Sequence, residues 1–225
     1  MANEPKNSSR RDFLKISSAS LIGLSLGALF PGVRWLDDGV YAIPASEGYL
    51  LVDTKKCAAC VTCMLACSLT HEGKENLSLS RIQIIQNSFE GFPNDVQISQ
   101  CRQCTYAPCI EACPTRALQA DDENGNVRIV YTGKCIGCQR CIEACPYESN
   151  RVIWNHERTY AQKCDLCADT PYWEEDGGPK GKQACAAVCP MNAITFTKTI
   201  PQQNERGYDV NLRNKHYGNL GFPTD

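Results

Sequence analysis

Apolar and polar residues alternate along three short runs of the chain. They are Leu79 to Phe89 (LSRIQIIQNSF), Val127 to Tyr131 (VRIVY) and Ala193 to Ile200 (AITFTKTI). A period near two, rich in Ile, Val, Thr and Tyr, predicts strands. Asn124-Gly125, just ahead of the second run, is a turn signal. One longer apolar run, Ile16 to Phe30, is interrupted by serines and glycines. It is shorter than the ~20 residues a spanning helix needs, so it is not read as a stable transmembrane helix.

Composition changes the picture at one residue type. A chain of 225 residues suits one domain, or one domain with appendages. A net charge of −2, with no basic run, gives no signal for nucleic acid. Sixteen cysteines are the outlier, and they leave a disulfide scaffold, several zinc sites or several iron–sulfur clusters.

The cysteines fall into four groups: Cys57, Cys60, Cys63, Cys67; Cys101, Cys104, Cys109, Cys113; Cys135, Cys138, Cys141, Cys145; and Cys164, Cys167, Cys185, Cys189. Each begins C-x2-C and ends C-x3-C, and only the middle gap varies, so the groups form an internal repeat. The fourth group alone is close to a two-pair zinc signature. The third group, C-x2-C-x2-C-x3-C-P, is the bacterial ferredoxin run. There, three closely spaced thiolates hold three corners of a [4Fe–4S] cube and the fourth ligates the neighbouring cluster. Zinc accounts for this less well, because C-x2-C-x2-C crowds three thiolates into one loop. Disulfides fare worse, since three such close cysteines cannot all reach unstrained partners. The elements are therefore short, α+β in class and packed around clusters, with short helices expected after the C-x3-C-P segments.

Ser9-Arg10-Arg11-Asp12-Phe13-Leu14-Lys15 (SRRDFLK) precedes the Ile16–Phe30 run and resembles the bacterial twin-arginine signal for export of folded proteins. The resemblance implies a periplasmic or extracytoplasmic location. A cleavage point after Ala45 fits weakly, because Ile43 is not small. Export after folding also suits the cysteines, since clusters can be built in the reducing cytoplasm first.

Taken together, the four groups resemble those of the four-cluster iron–sulfur subunits of the dimethyl sulfoxide reductase family, in the exported layout that serves nitrite and tetrathionate reductase systems. The resemblance covers about residues 50–200. It implies a duplicated bacterial two-cluster ferredoxin-like fold with insertions and a polar C-terminal extension. Its segments would be a signal segment at 1–45, a four-cluster domain at 46–200 with an inner pair at 101–146, and an extension at 201–225. It also implies four [4Fe–4S] clusters with exchanged ligands. Cys57, Cys60, Cys63 and Cys189 would hold one, and Cys101, Cys104, Cys109 and Cys145 a second. Cys113, Cys135, Cys138 and Cys141 would hold a third, and Cys67, Cys164, Cys167 and Cys185 a fourth. The sequence by itself leaves open an exchange between groups one and two and between three and four. Cys67 departs from the repeat, being followed by Ser68 where the other groups have proline. The implied partners are a molybdenum- or tungsten-pterin catalytic subunit and a membrane quinone-interacting subunit.

No haem site, dinucleotide loop, P-loop or nucleophile–base set occurs in the sequence, so catalysis is expected in another subunit. The alternatives are a freestanding polyferredoxin and a zinc-stabilised binding protein. Lys56, Lys134 and Lys163, each just before a group, read as solvated, with a charge near a cluster as the alternative. Arg102 and Arg140 lie inside cluster loops, where they could face a partner's cofactor. His71, His156 and His216 read as surface residues. Residues Asp169 to Lys182 read as an inserted loop that contacts a partner.

Overall fold

Each cysteine group is followed by a strand, and each of those strands pairs antiparallel. The computed structural model describes residues 43–92 and 94–201, together with the backbone of residues 34–35, 41–42, 203–204 and 207–208. By internal contacts the chain divides into a unit of Met1–Ile43 and a unit of Pro44–Asp225. In the first, strand β1 (Arg34–Trp35) pairs with β2 (Tyr41–Ala42). The arginine pair, the Ile16–Phe30 run and most of the C-terminal extension lie outside the described residues, as does His216.

In the second unit, β4 (Ile82–Gln86) follows group one and pairs with β5 (Val96–Gln100). After group two, β6 (Leu118–Asp121) pairs with β7 (Val127–Val130). After group three, β8 (Val152–Asn155) pairs with β9 (Tyr160–Lys163). After group four, β10 (Ile194–Thr197) returns to β3 (Tyr49–Val52), setting Ile194 opposite Val52 and Phe196 opposite Leu50. The last described pair is β11 (Gln203–Asn204) with β12 (Gly207–Tyr208). The three strands predicted from alternation are β4, β7 and β10, each shorter than its apolar run. The Asn124-Gly125 turn joins β6 to β7, with Gly125 and Asn126 both left-handed at φ 61 and 57. The Asp121 carboxylate fixes it by accepting from Glu123 N–H and Asn124 Nδ2.

The helices stand elsewhere than predicted. They are α1 (Thr62–Glu72), α2 (Pro108–Glu111), α3 (Arg140–Glu143) and α4 (Ala184–Ala187). Each begins at or near the third cysteine of its group and occupies the x3 spacer, rather than following the proline. The spacer sets the third and fourth cysteines at i and i+4, about one turn or ~6 Å apart along the axis. Proline after Cys113, Cys145 and Cys189 then disfavours helical backbone at the cysteine and stops the helix. In group one, Ser68 imposes no such stop. Helix α1 accordingly runs eleven residues to a left-handed Gly73, whose N–H bonds to Leu69 O at 2.9 Å.

Helix α1 packs on α4, and α2 on α3. Two apolar clusters lie beneath them. One joins Leu50, Val52, Met64, Ile82, Ile98 and Ile194 to cysteines of groups one, two and four. The other joins Leu118, Val152 and Ala161 to Cys141, with Cys109, Cys113 and Cys135 packed against them. Sulfur takes the place of much of the aliphatic core that a mixed domain of this size would otherwise need.

Candidate metal-cluster centres

Local backbone geometry aims the thiols. In every C-x2-C turn the second spacer residue is left-handed: Ala59, Gln103, Gly137 and Leu166, at φ 52, 51, 71 and 58. That twist turns a backbone N–H back toward sulfur. Ala59 N–H reaches Cys57 Sγ at 3.4 Å, and Gln103 N–H reaches Cys101 Sγ at 3.5 Å. Only group three uses glycine here. A Cβ on Gly137 would meet Trp154 at 3.1 Å and the Thr159 carbonyl at 3.2 Å.

The fourth cysteine of each group shows a second regularity. Its sulfur accepts an N–H from the residue that opens, or immediately precedes, the following strand. The pairs are Arg81 N–H to Cys67 at 3.3 Å, Leu118 to Cys113 at 3.5 Å, Arg151 to Cys145 at 3.3 Å and Ala193 to Cys189 at 3.3 Å. The repeat read in the cysteine spacing is thus also a repeat of backbone hydrogen bonds.

The thiols converge in fours. Cys57, Cys60, Cys63 and Cys189 line a cavity of about 330 Å³, counting its open mouth. Cys101, Cys104, Cys109 and Cys145 line another, of about 340 Å³. Cys113, Cys135, Cys138 and Cys141 line a third, also of about 340 Å³. Cys67, Cys164, Cys167 and Cys185 are all buried. The charges that act on Cys185 include those of Cys164, Cys167 and Cys67.

Burial pushes Cys63, Cys109 and Cys167 up to about 12 and Cys141 up to about 11, reinforced by neighbouring thiolates and, at Cys167, first by the Asp165 carboxylate. Such thiols ionise together only where cations face them. Yet no three His, Cys, Asp or Glu side chains among the described residues close on a single-ion site. All sixteen cysteines are free of disulfides. Four thiols spread around a space wider than one ion, with N–H groups aimed at sulfur, fit an iron–sulfur cube and disfavour zinc.

Polar side chains around the quartets depart from sequence expectation in two places. His71 is not a surface residue. It is 4% exposed on α1, one turn beyond Cys67. Its Nδ1 lies 2.8 Å from Cys67 O and 3.7 Å from Cys67 Sγ, and its Nε2 lies 3.0 Å from Asp165 Oδ1. Arg81 Nη1 donates to the other Asp165 oxygen at 2.6 Å. Burial alone would lower the His71 pKa, but the Asp165 carboxylate prevails and raises it to about 10. Burial likewise opposes ionisation of Cys67, but the His71 contact and the His71 and Arg81 charges bring its thiol below the ordinary value. The spacing C-x3-H, which puts His71 on the helix face of Cys67, was the available signal.

Lys163 is the second departure. It is 2% exposed rather than solvated, and its Nζ donates to the carbonyls of Arg128 and Cys164. Lys134 is exposed, and Lys56 pairs with Asp53 at 3.8 Å. Arg140 and His156 are exposed, whereas Arg102 is buried against the Tyr147 ring at 4.9 Å. Arg128, Tyr147 and Arg151, which the sequence did not mark, line the second cavity. The inserted loop folds back on its own unit. Tyr172 N–H bonds to Thr70 O, Gly178 N–H bonds to Leu166 O, and Tyr172 stays 57% exposed.

Residues 94–199 match the family described as a 4Fe-4S dicluster domain. The YsaA protein of Escherichia coli K12 is 31% identical over 165 residues, which cover 70% of this chain and 94% of YsaA. The chain belongs to the 4Fe-4S dicluster family. The thiosulfate reductase electron transfer subunit PhsB of Salmonella typhi, another relative of this dicluster chain, is 34% identical over 162 residues. That match covers 70% of this chain and 79% of PhsB. A NrfC homologue of Haemophilus influenzae is 39% identical over 152 residues, 65% of this chain and 63% of the relative. The dicluster chain is thus an iron–sulfur electron-transfer protein with a ferredoxin-like mix of short helices and strands.

Proposed function

We propose that the chain is the electron-relay subunit of an exported oxidoreductase complex. In this reading it carries four [4Fe–4S] clusters on a duplicated ferredoxin fold. It would pass electrons between a molybdenum- or tungsten-pterin catalytic subunit and a membrane quinone-linked subunit. Cys57, Cys60, Cys63 and Cys189 hold one cluster, and Cys67, Cys164, Cys167 and Cys185 its neighbour. Cys101, Cys104, Cys109 and Cys145 hold the third, and Cys113, Cys135, Cys138 and Cys141 the fourth.

The observation that carries this reading is that each quartet draws three thiols from one group and one from another, across packed helix pairs. Groups one and four exchange through α1 and α4, and groups two and three through α2 and α3. The alternative exchange, one with two and three with four, has no helix pair of comparable packing among the described residues. The quartets also adjoin one another in series. Cys63 acts on Cys185 of the next quartet, and Gln103 Nε2 bonds to Cys164 O at 2.9 Å between the two halves.

Bound clusters supply one-electron chemistry, and the chain supplies their spacing, insulation and hydrogen bonding. The name of PhsB, an electron transfer subunit, supports the subunit reading. The SRRDFLK segment supports export and a periplasmic location. Isolation of the tagged full chain from native membranes tests this. A large pterin-bearing protein and a membrane protein co-purifying in fixed ratio support it. A lone soluble chain would contradict it and favour a freestanding polyferredoxin.

A further inference from the structure

Charge is unevenly distributed among the four quartets. The cavities of Cys57, Cys60, Cys63, Cys189 and of Cys113, Cys135, Cys138, Cys141 have no charged side chain among their described lining residues. Around Cys67 and its quartet, His71 and Arg81 are met by the carboxylates of Asp165 and Glu72. Around Cys101, Cys104, Cys109 and Cys145 the described lining residues carry positive charge and no carboxylate. Arg102, Arg128 and Arg151 line that cavity at 2%, 1% and 3% exposure. Lys163, equally buried, acts by its charge on Cys109.

Two of these cations are held by uncharged acceptors. The Arg128 guanidinium donates to the carbonyls of Cys104 (3.0 and 3.2 Å), Asn126 (2.6 Å) and Pro44 (2.7 Å). Lys163 Nζ donates to two carbonyls, and its charge also acts on the Asp165 carboxylate. Carbonyls satisfy the donors without cancelling the charge. Arg151 goes further: its Nε, Nη1 and Nη2 meet no acceptor among the described residues. Its guanidinium and that of Arg102 both lie over the Tyr147 ring, at 5.6 and 4.9 Å, and the Tyr147 hydroxyl is 3.6 Å from Cys104 Sγ. Burying an unpaired guanidinium beside another cation is strongly unfavourable unless an anion faces it. The backbone N–H of Arg151 already bonds to Cys145 Sγ, so the anion at hand is the thiolate-ligated cluster itself.

We propose that the cluster held by Cys101, Cys104, Cys109 and Cys145 is the most readily reduced of the four, with Arg102, Arg128, Arg151 and Lys163 as its fixed counter-charges. This rests on the four-cluster reading. One-electron reduction takes a four-thiolate [4Fe–4S] cube from dianion to trianion. The electron comes from a neighbouring cluster, oxidised in the same step, or from added dithionite. Fixed cations in a low-dielectric site stabilise the more negative state and raise the potential. The cubes with uncharged linings gain no such term. An electron entering the series from either end would then settle on this interior site.

The test is potentiometric titration of the purified full-length holoprotein with dithionite, followed by electron paramagnetic resonance. Cys104→Ser marks the signal of this cluster, and Cys60→Ser, Cys138→Ser and Cys164→Ser mark the others. The first signal to appear as the potential falls should be the one that Cys104→Ser alters. Arg151→Gln and Lys163→Gln should each lower its midpoint while leaving the other three in place, and Arg151→Lys should restore much of it. Either of two results would overturn the proposal: a first signal marked by another cysteine, or an unmoved midpoint in folded Arg151→Gln and Lys163→Gln proteins. A four-cluster protein with either result loses only this inference. A protein holding zinc and no iron loses the relay function as well.

Discussion

Nε2 of His71 lies 3.0 Å from Oδ1 of Asp165, across ninety-four residues of chain. The contact joins α1, which carries Cys63 and Cys67, to the turn that carries Cys164 and Cys167. Asp165 is buried, and it also accepts from Arg81 Nη1 at 2.6 Å and from Cys167 N–H at 3.0 Å. The charges of Arg81 and His71 overcome burial and hold its carboxyl well below the usual range. One carboxylate thus fixes the approach of groups one and four.

Asp165→Asn should therefore be strongly destabilising, because it leaves buried His71 without its anion and Arg81 with only the longer Glu72 contact at 3.9 Å. Removing one partner of a buried ion pair costs about 3–5 kcal/mol. Thermal unfolding of the anaerobically purified protein should show a melting temperature lowered by many degrees. An unchanged melting temperature would refute the role given to this residue.

Cys189→Ser should act on the cluster of group one, although Cys189 stands in group four. Its resonance signature should change in the same component that Cys60→Ser changes, and Cys164→Ser should change a different one. A change shared by Cys189→Ser and Cys164→Ser would show that groups do not exchange ligands.

Ser68→Pro would give group one the punctuation of the other three. Proline in the interior of α1 removes a helix hydrogen bond and costs about 3 kcal/mol or more. Beyond Cys67 the helix should unwind and displace His71. Lower far-ultraviolet ellipticity with loss of iron is the expected result, and a fully loaded, equally helical variant would contradict it.

Gly177→Ala should damage the turn of group four from outside. A Cβ at Gly177 would clash with the Cys167 carbonyl group, so the backbone must shift. Overpacking of this kind costs at least about 1–3 kcal/mol. Iron analysis should show partial loss. The control is Gly133→Ala, where a Cβ meets nothing within 4 Å and iron content should be unchanged.

The cysteine spacing carried the thiol groups, and alternation carried β4, β7 and β10, because both are local properties of the chain. Helix placement was misjudged because the proline after the fourth cysteine of groups two, three and four reads as a start when it acts as a stop. Lys163, Arg128 and Arg151 were not legible as interior residues. Hydropathy places such cations on a surface, and only the fold brings carbonyls and thiols to their donors. His71 was misread for the same reason, its partner Asp165 being distant in sequence. The departure at Ser68 was visible, but its consequence, an eleven-residue α1, needed the helix to be located first.

The central claim is that the sixteen thiols hold four iron–sulfur cubes rather than single ions. Iron, acid-labile sulfide and zinc should be counted on the anaerobically purified full chain, alongside its visible absorption. The expected result is a brown protein with about sixteen iron and about sixteen sulfide per chain, four of each per cube. A colourless protein with about four zinc ions and no sulfide would contradict it.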